Sequence, residues 1–145
     1  MQQDSELIHA TGLVIDGVGV LLTGPSGAGK SDLALRLIDR GAVLIGDDYL
    51  HAQQDGTALR VTAPDRIAGL IEVRGVGIMP VQHNTSATIG LVIALVPAPE
   101  AEERLPDPRE TVIAGVTLPI YNIAPSPASA PIKVELLVSR LKERP

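Results

Sequence analysis

Cysteine, phenylalanine and tryptophan are absent from this chain of 145 residues, and tyrosine occurs only at Tyr49 and Tyr121. Without cysteine there can be no disulfide and no thiolate metal site, and we expect a cytoplasmic protein. With so few aromatic rings the core must be aliphatic. Binding of nucleic acid by stacking bases on aromatic side chains is not expected either.

The chain also lacks a long run of basic residues or of apolar residues. The formal net charge is −5 and no basic run occurs, which argues against a nucleic-acid-binding surface. The longest apolar run, GLVIALV at 90–96, falls far below a membrane span and predicts a buried strand. We therefore expect no nucleic acid and no membrane as partner. The length fits one domain over residues 1–145, with residues 1–5 frayed.

Hydrophobic patterning divides the chain into strands and helices. Two β-branched runs at 13–15 and 18–23, separated by a Gly-rich turn, predict a hairpin. A helix is predicted from Lys30 to Arg40, with Gly41 in the left-handed position that ends helices. A strand is predicted at 42–46, and a last amphipathic helix near 132–143.

A phosphate-binding loop is the most specific motif. The segment GPSGAGKS matches G-x-x-x-x-G-K-[ST] without a mismatch, between a predicted strand and a predicted helix. Its glycines let backbone N–H groups line an anion nest at the helix N-terminus. Lys30 can then reach the β- and γ-phosphates, and Ser31 can hold Mg²⁺. The predicted nucleotide-binding residues are Gly24, Pro25, Ser26, Gly27, Ala28, Gly29, Lys30 and Ser31.

An acidic pair follows the next strand. Asp47 and Asp48 come directly after 42–46, and ligands of α/β sheets bind at the carboxyl ends of strands. One carboxylate can help to hold Mg²⁺ and the other can accept a proton from an attacking hydroxyl. The alternative is an Asp-rich turn that only caps the next element.

A second glycine motif, EVRGVG, begins at Glu72. If 70–74 is extended, Glu72 and Arg74 project to the same side, because strand side chains alternate. Glu72 could then face the metal, and Arg74 the transferred phosphate charge. Taken alone, the motif is more typical of a surface ion pair before a turn.

The segments GPSGAGKSDLALRLIDRGAVLIGDDYL and APDRIAGLIEVRGVGI together resemble the HPr kinase/phosphorylase family, in the short form that lacks the N-terminal domain. The resemblance covers about residues 9–78 and depends on EVRGVGI. It implies an α/β P-loop NTPase-type fold related to phosphoenolpyruvate carboxykinase, with a mixed central sheet and flanking helices. It also implies a hexamer that phosphorylates a serine of the phosphocarrier protein HPr with ATP and Mg²⁺, and reverses this with inorganic phosphate.

When the functional residues of the family are carried over by position, the resemblance implies that Lys30 is a catalytic phosphate contact. It implies that the Asp47–Asp48 pair supplies the proton acceptor, with Asp48 the favoured base. Ser31 and Glu72 are implied as metal contacts, together with a carboxylate of the pair, for which we take Asp48. Arg74 lies within the signature. His9 matches a functional histidine, although a lone histidine there is more often structural.

Two other functions remain open. A small-molecule P-loop kinase would act on a metabolite, although the chain shows no separate substrate or lid segment. A regulatory ATP sensor without transfer activity would fit the near absence of basic residues in 124–133, where the family carries a basic loop.

Overall fold

The computed structural model describes residues 5–143 as a mixed sheet with two α-helices against it. The strands and helices, in chain order, are β1 Ser5–Ile15, β2 Val18–Thr23, α1 Lys30–Asp39, β3 Val43–Gly46, β4 Tyr49–Asp55, β5 Ala58–Thr62, β6 Leu70–Val73, β7 Gly77–Pro80, β8 Ser86–Leu95, β9 Glu110–Ile113, β10 Val116–Ile123 and α2 Ala130–Lys142. The predicted α/β class with a mixed sheet and flanking helices is confirmed. Of the segment expected to be frayed, residues 1–4 lie outside the described part, and Ser5 is the first residue of β1.

The main sheet closes partly on itself. Its strands follow the order β2-β1-β4-β5-β8-β10-β9, and β2 also pairs with β8. Strands β1, β4, β5, β8 and β2 therefore form a closed ring. The ladders β2–β8 and β8–β10 are parallel, and the others are antiparallel. Ring closure leaves few free edges among these five strands, and the predicted hairpin at 13–23 is the β1–β2 corner of the ring.

Two aliphatic cores lie on opposite faces of the sheet. Alternation along β2 shows the division, since Val20 and Leu22 join one core and Leu21 the other. The first core is covered by α1 and α2, and the second is packed against β4 and β5 inside the ring. Tyr121 is the only aromatic residue of either core, so the predicted aliphatic interior is confirmed. No helix in the described residues is both long enough and apolar enough to cross a membrane.

The helices end where the sequence predicts. The α1 helix ends at Asp39, and Gly41 adopts a φ of 110°, as expected for a left-handed stop. In α2, Val134, Leu137 and Val138 are buried and form its inner stripe.

The segment between β8 and β9 packs against the rest of the fold more closely than its Pro- and Glu-rich composition indicates. Glu102 within it is mostly buried: its Oε2 accepts the backbone N–H of Ala124 at 2.8 Å, and its Oε1 accepts Lys133 Nζ at 2.9 Å. The pKa of Glu102 lies below its ordinary value. Burial raises it, and the hydrogen bonds from Lys133 and Ala124, with the charge of Lys133, outweigh burial.

These contacts predict a pH-dependent contribution to stability. A carboxyl group with a lowered pKa in the folded state stabilises the fold above its unfolded pKa of about 4.3, and this stabilisation is lost as the pH falls through the folded value. We expect Glu102→Gln to lower the free energy of unfolding by about 1–2 kcal/mol at neutral pH, and by less in acid. Urea unfolding across pH measures this.

Glu103→Gln is the matched control, because Glu103 forms a more exposed ion pair with Arg109 at 2.8 Å. We expect it to change the free energy of unfolding by less than about 0.5 kcal/mol. Equal destabilisation by the two variants, or no dependence on pH for Glu102→Gln, would contradict the role given to Glu102.

Candidate active site

The phosphate loop joins β2 to α1. Gly27 and Gly29 have φ values of 83° and 103°, in the left-handed region that favours glycine, and this turns successive backbone N–H groups towards one side. Gly29 is also the N-cap residue of α1, and a Cβ added there would lie 3.1 Å from Pro125 Cγ. The segment after β10 therefore packs against the end of the loop.

Lys30 turns its ammonium group back onto the loop. The residue is 6% exposed, and its Nζ donates to the carbonyl oxygens of Gly24 at 2.6 Å and of Pro25 at 3.0 Å. Removal from bulk water strengthens the interaction of this charge with a nearby anion. A phosphate in the nest would replace backbone carbonyls as the partner of Nζ.

Asp47 is the buried member of the acidic pair and binds three groups. Its Oδ1 accepts the hydroxyl of Ser31 at 2.8 Å and that of Thr11 at 3.0 Å. Its Oδ2 accepts the backbone N–H of Glu72 at 3.3 Å. Because β1 lies antiparallel between β2 and β3, those two strands end at the same edge of the sheet. The structure thus places Asp47 beside the phosphate loop.

Asp48 points elsewhere and is open to solvent. Its φ of 77° lies in the left-handed region, which Asp tolerates better than most residues. The side chain is 60% exposed, and its Oδ1 lies 2.7 Å from Nε2 of His9, which donates in the Nε2–H tautomer. The turn is held by two backbone hydrogen bonds of 3.0 Å, from Ala10 N–H to the Asp48 carbonyl and from Tyr49 N–H to the Asp47 carbonyl.

The imidazole of His9 lies between two partners. The β1–β4 register sets His9 opposite Tyr49, and their rings stack with centroids 5.1 Å apart and an interplanar angle of 26°. Asp48 binds the ring edge while Tyr49 covers a ring face. The composition marks Tyr49 as one of two tyrosines, but only the pairing of β1 with β4 shows what it contacts.

Glu72 and Arg74 lie on a hairpin beside the site, formed by β6 and β7. Glu72 is exposed, and its backbone reaches Asp47 as described. The predicted extension over 70–74 is correct only as far as Val73, since Val76 N–H donates to the Val73 carbonyl at 2.9 Å and closes a turn that contains Arg74. Arg74 is exposed, and no ion pair or side-chain hydrogen bond joins it to another of residues 5–143.

The oxygen atoms at this edge are of the kind that Mg²⁺ prefers. The Ser31 hydroxyl and the Asp47 carboxylate are in contact, and the backbone N–H of Glu72 binds the same carboxylate. Among residues 5–143 no three His, Cys, Asp or Glu side chains converge into a metal cage. Mg²⁺ is usually held by one or two carboxylates and by substrate phosphates, with several waters retained, so a nucleotide-dependent magnesium site fits these residues.

Thr11 is a site residue that the sequence analysis missed. It is fully buried on β1, between Ala10 and Gly12, and its hydroxyl holds Asp47. A buried hydroxyl requires a partner, so the available signal was a polar residue in the middle of an apolar strand. The sequence does not say which acceptor lies opposite.

Three comparisons with known proteins agree. Residues 2–139 match the family model of the HPr Serine kinase C-terminal domain. The HPr kinase/phosphorylase of Malacoplasma penetrans is 34% identical over 94% of this chain, and that of Clostridium kluyveri 41% identical over 61%. These alignments span 50% and 31% of the two relatives, so the chain matches only part of their length.

A solved structure gives the same result. The Hpr(Ser) kinase/phosphatase from Coxiella burnetii superimposes with a TM-score of 0.84 at 33% sequence identity. The match covers 94% of this chain and 96% of that one.

Proposed function

Because the chain belongs to the HPr serine kinase C-terminal domain family, we propose that it transfers the γ-phosphoryl group of Mg·ATP to a serine of the phosphocarrier protein HPr. The observation that carries this proposal is the difference in environment between the two carboxylates of the acidic pair. Asp47 is buried against Ser31 of the phosphate loop, whereas Asp48 is exposed and held by His9. Transfer to a hydroxyl needs both an anchored phosphate and an accessible proton acceptor.

Asp48 is the base in this proposal. A serine hydroxyl of the acceptor protein gives its proton to the Asp48 carboxylate as its oxygen bonds to the γ-phosphorus and the bond to the leaving oxygen of ADP breaks. His9 holds the carboxylate by its 2.7 Å contact and stabilises the negative charge before the reaction. Accessibility argues against Asp47 in this role, since it is only 8% exposed and already accepts three hydrogen bonds.

The phosphate loop and Lys30 bind and orient the nucleotide. The backbone N–H groups of 24–31 surround the phosphates, and Lys30 Nζ exchanges a carbonyl partner for phosphate oxygen. The residues that would hold Mg²⁺ are Ser31 and Glu72. Asp47 accepts a hydrogen bond from the Ser31 hydroxyl and supports it. The bound ion would neutralise phosphate charge. In this proposal Asp47 takes the place of Asp48 as the carboxylate on the metal side, because Asp47 binds the Ser31 hydroxyl. Arg74 remains a candidate contact for the transferred group.

Further parts of the proposal come from the family. Relatives named HPr kinase/phosphorylase support a phosphate-dependent reverse reaction. In it an oxygen of inorganic phosphate bonds to the phosphorus of the phosphoserine, the bond from that phosphorus to the serine oxygen breaks, Asp48 returns its proton to this oxygen, and pyrophosphate is released. HPr as the protein partner is proposed on the same ground. Assembly into a hexamer is proposed from the family resemblance described above, and a cytoplasmic location from the absence of cysteine.

The direct test mixes the full chain with ATP labelled at the γ-phosphate, Mg²⁺ and HPr from the same organism. Label that enters HPr and survives acid is expected, because a serine phosphoester is stable under conditions that hydrolyse a phosphohistidine. The matched control is the Lys30→Ala variant with the same HPr. No label in HPr from a chain that binds ATP would contradict the proposal and favour the nucleotide sensor. Label in a metabolite alone would favour the small-molecule kinase.

Tyr49 is expected to tune the rate by orienting His9. Loss of the stacked ring in Tyr49→Leu should lower kcat between about twofold and tenfold, which corresponds to the 0.5–1.5 kcal/mol of an aromatic pair. The KM for ATP should stay unchanged, because the ring of Tyr49 stacks on His9, which is not part of the phosphate loop. Tyr49→Phe keeps the ring and is the control. Equal rate losses in the two variants would show that the hydroxyl, and not the stacked face, is the important group.

A further inference from the structure

A cavity lies away from the phosphate loop. It has a volume of about 460 Å³, opens to solvent, and is bordered by the β8–β9 segment, the end of β10 and one side of α2. None of its lining residues belongs to 24–31, to the acidic pair or to the β6–β7 hairpin. A cavity of this size falls within the range of small-molecule sites, roughly 300–1,000 Å³.

The wall of this cavity is fixed by its own ion pairs. Glu102 binds Lys133 at 2.9 Å and Glu103 binds Arg109 at 2.8 Å, and all four residues line the cavity. These pairs neutralise two carboxylates and two cations of the lining. The Glu102–Lys133 pair also joins the β8–β9 segment to α2, and the Glu103–Arg109 pair lies within that segment.

The charge that remains on the cavity lining outside these two ion pairs is positive. Arg104 and Arg140 line the cavity, and neither has an ion pair or a side-chain hydrogen bond with another of residues 5–143. Asp107 is the one remaining carboxylate of the lining. A surplus of guanidinium groups stands out in a chain whose net charge is −5. Guanidinium groups bind carboxylates and phosphates in a forked geometry.

Neutral polar and apolar groups complete the lining. Tyr121 borders the cavity, and its phenolic hydroxyl is a group that can donate or accept a hydrogen bond. Leu136 and Leu137 of α2 add apolar surface at the other side. The lining therefore suits a molecule with an anionic end and a carbon skeleton.

We propose that the cavity between α2 and the β8–β9 segment is a second binding site, which takes a small organic anion bearing a carboxylate or a phosphoester on Arg104 and Arg140. The site is independent of the nucleotide site and of the proposed transfer reaction. Tyr121 donates or accepts a hydrogen bond from the ligand, and the leucines contact its carbon skeleton.

Methyl-resolved NMR titration of the full chain tests this site. The probes are glycerol 3-phosphate, neutral glycerol as its matched partner, glutarate and inorganic phosphate. We expect saturable shifts of the Leu136 and Leu137 methyl groups with the organic anions and none with glycerol. Tighter binding of glycerol 3-phosphate would assign a phosphoester, and tighter binding of glutarate a carboxylate. Phosphate in the loop nest would instead shift Leu33 of α1.

The variant Arg104→Gln with Arg140→Gln should weaken binding of the better probe about tenfold or more, since charge-assisted hydrogen bonds are lost. The control, Arg60→Gln with Arg66→Gln, removes the same charge from a surface outside the cavity and should leave the affinity unchanged. Equal weakening in both double variants would show a general charge effect and overturn the proposal. Absence of saturable shifts, or equal shifts with glycerol, would overturn it too.

Discussion

Replacing Lys30 by methionine is expected to lower kcat for phosphoryl transfer by about a hundredfold to a thousandfold, the usual effect of removing one preorganised charged donor at a transition state. Lys30 is the buried cation of the phosphate loop, and its Nζ already lies within 3.0 Å of two loop carbonyls. Methionine keeps most of the volume of the side chain and removes the charge. The rate of label transfer to HPr measures the effect.

The fold should survive this substitution. A buried ammonium costs desolvation free energy, which its two carbonyl partners offset, so its removal should change the free energy of unfolding by no more than about 1 kcal/mol. Lys142→Met is the matched control, because Lys142 forms an exposed ion pair with Asp16 and neither residue belongs to the phosphate loop. Transfer by Lys30→Met at the rate of the Lys142 control would refute the role of Lys30.

Substitution within the acidic pair should separate proton transfer from metal binding. Asp48→Asn removes the proposed base and should lower kcat by about 10²- to 10⁴-fold, while ATP binding stays within about twofold. Asparagine also tolerates a left-handed φ, so the turn at 77° can be kept. Asp47→Asn should instead raise the Mg²⁺ concentration required for half-maximal rate, because Asp47 binds Ser31.

Rates measured over a Mg²⁺ series with each variant decide this assignment. The reversed pattern, a magnesium defect in Asp48→Asn that saturating ion repairs and an irreparable loss in Asp47→Asn, would exchange the two roles. Thermal unfolding provides the check on folding. Asp47→Asn is expected to be the less stable variant, since its amide cannot satisfy all three donors that now meet the carboxylate.

The sequence predicts the phosphate loop well because its chemistry is local. Eight consecutive residues specify the nest, and the spacing of apolar residues on either side predicts the flanking strand and helix. The meeting of Ser31 with Asp47 also follows, given that the strands before each residue end at one sheet edge. The family signature adds Glu72 and Arg74, but a turn after Val73 sets their orientation, and turns are predicted less accurately than strands.

The separation of Asp47 from Asp48 could not be predicted from spacing. It results from the left-handed conformation of Asp48 in the two-residue turn between β3 and β4, and from the β1–β4 register, which sets His9 opposite Tyr49. Both are long-range outcomes of sheet pairing. The same holds for Glu102, whose charged neighbours predict an exposed segment. Its burial depends on Lys133 and Ala124, which follow in sequence only after two further strands.

Strand β1 connects most of the site, and this has a consequence for hydrogen exchange. It carries His9, which pairs with β4, and Thr11, which pairs with β2, and its residues 12–14 pair with β2 on one edge and with β3 on the other. The amide protons of 12–14 lie between two ladders, so we expect them to exchange most slowly in β1, at the rate set by global unfolding. The hydrogen bonds from His9 to Asp48 and from Thr11 to Asp47 therefore start from a strand whose centre is held on both sides. The nucleotide and the acceptor protein would meet a site already formed before either one binds.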